Sequence, residues 1–222
     1  MRLNRRNLWA LTAAFLLLAL SGCAKNAADL AAEDSGAAVL MGEAAPSDIA
    51  GHPSEAYILE GLRLGLYPPP DDGRFQPDQA VTREEFVTVL WRLAGRPDAP
   101  GDDDQSRALA WADAAGLPSG ASELTRQDAM SLLFAYHGGV SGAEAILTGI
   151  YDDAFRDSAQ IPEGGKAAFY WGFYNVLIRE TEPDYLNPSG SVSRGDMAEM
   201  TVRYWNDFQS GASENEKGET MQ

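Results

Sequence analysis

Apolar residues recur at helical spacing in six stretches of this chain. Ala56, Leu59, Leu62 and Leu66 form the first stripe, after Pro53, a residue suited to the first turn of a helix. Phe86, Val89, Leu90 and Leu93 form the second, which Gly95 and Pro97 stop. Ala108, Leu109, Trp111, Ala112 and Ala115 follow, closed by Gly116-Leu117, and then Ala129, Leu132, Leu133 and Tyr136, ended by Gly138. Ala167, Phe169, Tyr170, Trp171, Tyr174 and Leu177 mark the fifth stripe, and Met197, Met200, Val202, Tyr204, Trp205 and Phe208 the sixth. Ser141 to Ile150 predicts a short linking helix. The pattern predicts an all-α domain.

The polar residues that open every second stripe also repeat. Val81-Thr82-Arg83-Glu84-Glu85-Phe86 returns as Leu124-Thr125-Arg126-Gln127-Asp128-Ala129 and as Val192-Ser193-Arg194-Gly195-Asp196-Met197. Thr82, Thr125 and Ser193 suit an N-cap, where a side-chain oxygen accepts a free backbone N–H. Glu85, Asp128 and Asp196 stand three residues on, where a carboxylate reaches back to close a capping box. The apolar residues at either end are at staple spacing. The arginine is not explained by capping, because a cation at the first helical position opposes the helix dipole by about 0.3–1 kcal/mol. Three arginines in register predict that each guanidinium meets an anion, either a carboxylate bridging neighbouring units or a group on a ligand.

The stripes and motifs group into three helix–loop–helix units, about 47–97, 102–138 and 155–208. Leu66 to Thr82 and Leu177 to Ser193 each span sixteen positions, and Leu117 to Thr125 only eight, so the middle unit keeps both helices and loses most of its loop. Repeats of this size bury their apolar faces against one another.

The units resemble S-layer homology (SLH) repeats, a bacterial surface module. Unit one carries the resemblance over almost its whole length, at Ser47-Asp48-Ile49, His52, Glu55-Ala56, Gly65-Leu66, Gly73-Arg74-Phe75-Gln76-Pro77-Asp78 and Thr82-Arg83-Glu84-Glu85-Phe86. Unit three carries it at Phe155-Arg156-Asp157, Leu186-Asn187-Pro188 and Ser193-Arg194-Gly195-Asp196, and unit two mainly at Ala115-Gly116-Leu117 and Leu124-Thr125-Arg126. The resemblance implies an all-α, pseudo-threefold domain of three SLH-like repeats. It would bind an anionic secondary cell-wall polysaccharide, often pyruvylated, in grooves between repeats. It carries over Arg83, Arg126 and Arg194, with Asp48 and Asp157, as glycan-binding residues, and implies no catalysis and no cofactor. The chain departs from the family pattern at Pro53, where tryptophan is usual, at Pro68-Pro69-Pro70 and in the shortened middle loop. It departs again at Asp128 and Asp196, which stand for the motif glutamate. One or two working grooves are expected rather than three.

Residues 1–22 read as a signal peptide. Arg2, Arg5 and Arg6 precede a short apolar run, Leu8 to Leu20, and Leu20-Ser21-Gly22-Cys23 resembles a lipoprotein box that would lipidate Cys23. Residues 23–46 predict a flexible spacer, 47–209 the repeat domain and 210–222 a disordered tail. Cys23 is the sole cysteine, which excludes disulfides and cysteine-based sites within the fold.

The formal charge is −16, and cleavage, which removes three arginines and no acid, takes it to −19. Such a surface repels nucleic acid and anionic headgroups, so membrane attachment falls to the lipid. Asp102-Asp103-Asp104, and Asp152 and Asp153 with Asp157, lack the ligand pattern of a calcium loop and read as solvated acidic turns. Two histidines, His52 and His137, make no metal set, and His137 suits a helix C-terminus. Trp111, Trp171 and Trp205 lie at core spacing. The expected protein is a lipid-anchored, extracytoplasmic tether between membrane and wall. The alternative is an envelope protein-interaction scaffold, distinguished by motif arginines paired internally and shielded from solvent.

Overall fold

The computed structural model describes residues 45–210 except 69, 71, 141 and 142, and not the side chains of 143–146. Cys23, the signal peptide, all but the last two residues of the spacer, and the tail beyond 210 lie outside the described residues. Described are seven α-helices: α1 (Glu55–Arg63), α2 (Arg83–Leu93), α3 (Asp104–Ala114), α4 (Arg126–Tyr136), α5 (Ala143–Tyr151), α6 (Glu163–Tyr174) and α7 (Arg194–Tyr204). A 3-10 turn at Ser158–Gln160 precedes α6, and a π turn at Trp205–Gln209 prolongs α7. The fold is all-α.

Sequence chemistry sets the helix starts. Thr82, Thr125 and Ser193 are extended, and their hydroxyls accept the N–H of Glu85, Asp128 and Asp196, whose carboxylates accept the cap residue's own N–H. All three capping boxes are formed. Several boundaries differ from the periodic reading. The first helix begins at Glu55, two residues past Pro53. The fifth stripe ends at Tyr174, because Val176 turns to a φ of 57° and sends Leu177 and Ile178 back into the core.

Packing runs between units. The second helix of each unit lies against the first helix of the next: α2 against α3, α4 against α6, and α7 against α1. Phe86, Leu90, Met130, Leu132, Leu133 and Phe169 are almost wholly buried in these contacts. Burying each such side chain is worth about 1.5–3 kcal/mol, far more than its helix propensity. At Gly172 a Cβ would stand 2.2 Å from the Met130 sulfur, so a larger residue there would require the Met130 side chain to move. Helix α5 packs on α6, where Tyr151 meets Phe155, Tyr170 and Phe173.

The residues before the three caps converge. Val81, Leu124 and Val192 are buried; Val81 donates its N–H to the Val192 carbonyl at 2.8 Å, and Val192 to that of Leu124 at 3.2 Å. Isolated bridges pair Ala80 with Ser193, Thr82 with Glu123, and Thr125 with Ser191.

Candidate functional site

Each motif arginine is built into a junction with another unit's loop. The backbone N–H groups of Arg83, Arg126 and Arg194 donate to the carbonyls of Ser122, Gly190 and Gln79 at 2.8, 2.8 and 2.9 Å. The side chains reach further up the same loops. Arg83 donates from Nε and Nη2 to the Pro118 carbonyl at 3.2 and 2.8 Å. Arg126 donates from Nε to Leu186 O at 3.0 Å and from Nη2 to the Arg179 carbonyl. Arg194 donates from Nη1 to Phe75 O at 3.2 Å and from Nη2 to Glu85 Oε1 at 2.7 Å. Pro118, Leu186 and Phe75 each lie seven positions before a cap residue, so the loops are in register despite the short middle one. Unit one fastens to unit two, two to three, and three to one.

Of the two expected anions, the carboxylate bridging neighbouring units is found at Arg194 and not at Arg83 or Arg126 among the described residues. Arg83 and Arg126 are buried, and both rest on carbonyl oxygens, with no carboxylate partner among the described residues. Carbonyl dipoles answer the charge where helix dipoles oppose it. Burial lowers the Arg126 pKa, against the opposing pull of Asp196 and Asp157. Only Arg194 meets a carboxylate, and it is half-buried.

Asp48 and Asp157 hold the loops on which the arginines rest. Asp48 accepts the N–H groups of Phe75 and Gln76, both at 2.8 Å. Asp157 accepts those of Leu186 at 3.0 Å and Asn187 at 2.7 Å. Gln76 and Asn187 have φ of 59° and 49°, left-handed values that the paired N–H donation fixes. Partial burial alone would raise the Asp48 pKa, but the N–H donors of Gln76 and Phe75 and the charge of Arg74 outweigh it and hold it below the usual value. Unit two has Pro118 at the matching position, which has no N–H to give.

A cavity of about 420 Å³ opens where unit three meets unit one, with the start of α3 from unit two on its edge, and Arg194 lines it. That volume falls within the roughly 300–1,000 Å³ of small-ligand sites. Tyr67, Phe75, Val89 and Met197 supply apolar wall. Arg92 is a second cation, donating from Nη1 to Leu66 O and from Nη2 to Asp104 Oδ2, both at 3.0 Å. Glu85, Asp103 and Asp104 are the acids on the lining. Arg83, Arg126, Asp48 and Asp157 do not line it. Sequence reasoning missed Arg92, although it follows Glu85 by seven and shares one helix face with it and Val89.

Asp102, Asp103 and Asp104 are exposed, as the reading of solvated acidic turns expects, whereas Asp152 is partly buried and Asp157 is buried, which corrects that reading for these two. Asp103 closes a capping box on α3 with Ser106, Asp104 pairs with Arg92, and Asp152 accepts from Lys166 and Tyr170, both at 2.9 Å. His137 is the C-cap of α4, packed among Trp171, Tyr204 and Phe208. Trp171 is buried, and Trp111 and Trp205 are partly buried against the core. Among the described residues no three His, Cys, Asp or Glu side chains group to hold a metal, and no helix is long and apolar enough to cross a membrane.

The S-layer homology domain model matches residues 47–87. The match opens at Ser47-Asp48 and closes in the first turns of α2, so it takes in the Asp48-held loop and the Arg83 motif. S-layer homology domains bind cell-wall polymers and are not catalytic, and the match supports a cell-surface binding role for the chain. No curated protein matches the chain.

Proposed function

We propose that the chain is a non-catalytic cell-surface lipoprotein whose three SLH-like repeats, at about 47–97, 102–138 and 155–208, present one working groove to an anionic wall polysaccharide. The groove is the cavity between units three and one. The carrying observation is that Arg194 and Arg92 both line this cavity, which Arg83 and Arg126 do not. A carboxylate such as a pyruvate ketal would take the two cations, and the sugar would lie on Tyr67 and Phe75. Arg83 and Arg126 then serve the domain as fasteners, and Asp48 and Asp157 act on the ligand only through the loops they hold. Lipidated Cys23 would fix the protein to the outer side of the membrane, and residues 23–46 would let the domain reach the wall.

One observation favours a second reading, an envelope protein-interaction scaffold. Arg194 already has Glu85, and Arg92 has Asp104, so both cations are paired within the protein. Sedimentation of the full chain with purified walls separates the two. Glycan recognition requires saturable binding that disappears when the wall polysaccharide is stripped chemically and that weakens in Arg194→Gln. Absence of binding to intact walls rejects it in favour of the scaffold. Palmitate labelling abolished by Cys23→Ser tests the anchor, and unchanged labelling rejects it.

A further inference from the structure

We propose that Arg92 is a ligand-binding cation of this cavity, and that Asp104, which pairs with it, is a built-in competitor that an anionic glycan displaces. The inference rests on the glycan-binding reading of the cavity. It starts from an incomplete pairing. The Nε–H and an Nη2–H of a guanidinium point the same way, at the spacing of the two oxygens of one carboxylate. On Arg92 that fork is half used, since Asp104 takes Nη2 while Nε is buried with no acceptor. An unsatisfied buried donor is costly, and a carboxylate that fills both positions removes the cost. Arg92 itself stays put, because Nη1 is fixed to the Leu66 carbonyl and its side chain is only 12% exposed.

Asp104 is the partner able to leave. It stands at the first turn of α3, in the next unit, and its side chain is 49% exposed. The capping box that starts α3 belongs to Asp103 and Ser106, so turning Asp104 into solvent leaves the helix start intact. The other cation is different. Glu85 holds Arg194 with Oε1, and its Oε2 accepts the Thr82 N–H at 2.9 Å, so the capping box of α2 keeps Glu85 in place beside Arg194. The cavity therefore pairs an arginine whose carboxylate partner is anchored, Arg194, with one whose partner is free to turn away, Arg92.

The test is the Kd of the full chain for purified wall polysaccharide, with free pyruvate as a competing carboxylate probe and urea midpoints confirming that each variant is folded. Asp104→Asn keeps the shape and removes the charge. It should tighten binding about two- to fivefold, the range of a partly exposed ion pair. Arg92→Gln should weaken binding and abolish the gain from Asp104→Asn. Binding seen only in Asp104→Asn also supports the inference. An unchanged or weaker Asp104→Asn, with wild type binding and Arg194→Gln impaired, overturns the inference and leaves the glycan reading standing. A gain that persists in Arg92→Gln reflects general charge and overturns it too. If neither wild type nor Asp104→Asn binds, both readings fall.

Discussion

The junction at Arg126 and the junction at Arg194 begin from the same motif and end in different chemistry. At the first, a buried guanidinium spans two carbonyls of the unit-three loop, and Asp157, also buried, grips that loop from behind. At the second, the guanidinium reaches one loop carbonyl and one carboxylate and borders open space beneath Tyr67 and Phe75. The lesson is that the motif arginine is first an inter-unit fastener. It becomes a candidate ligand group where it also lines a cavity, as Arg194 does.

The largest expected contrast is in stability. Arg126→Ala leaves the Leu186 and Arg179 carbonyls without their donor and should cost about 2–3 kcal/mol, whereas Arg194→Ala, at a half-buried site, should cost about 1 kcal/mol or less. Urea denaturation measures both, and equal losses would break the comparison.

The two loop-holding acids give the next contrast. Asp157→Asn, with Asp157 only 4% exposed, should cost about 1.5–3 kcal/mol, and Asp48→Asn, at a more open site, about 1 kcal/mol. Asp48 adds a pH signature, since its folded pKa lies below the ordinary one. Its contribution is complete above the unfolded carboxylate value of about 3.9 and is lost as the pH falls through the folded value beneath it. Asp48→Asn should therefore flatten the acid limb of the stability profile. An acid limb identical to that of wild type contradicts the assignment.

Smaller effects sharpen the picture. Thr125→Ala and Ser193→Ala should each cost about 1 kcal/mol, because both junctions use the same capping box. A large difference between them would mean that the boxes, and not only the arginines, diverge. Arg63→Ala, which breaks an exposed pair with Glu60 within one helix turn, should change stability by about 0.5 kcal/mol or less.

The helix starts were legible because capping is local. Thr82 with Glu85, Thr125 with Asp128 and Ser193 with Asp196 carry their geometry within four residues. The arginines showed in the sequence as a register without a partner, since their acceptors come from another unit and, apart from Glu85 at Arg194, are backbone carbonyls, which any residue can supply. The loop lengths pointed to a damaged middle unit, yet the last seven positions before the cap survive there and Pro118 O still receives Arg83. Arg92 was hidden because it looks like an ordinary polar residue near a helix end. Only the approach of α3 to α2 brings Asp104 to it.

The most direct test is calorimetric titration of purified wall polysaccharide into Arg194→Gln and Arg83→Gln, each shown to be folded. The account predicts at least a tenfold weaker Kd for Arg194→Gln, the loss of one charge-assisted contact, and a change within about twofold for Arg83→Gln. Equal weakening in both, or binding by Arg194→Gln as tight as wild type, would contradict the claim that one junction of the three carries recognition.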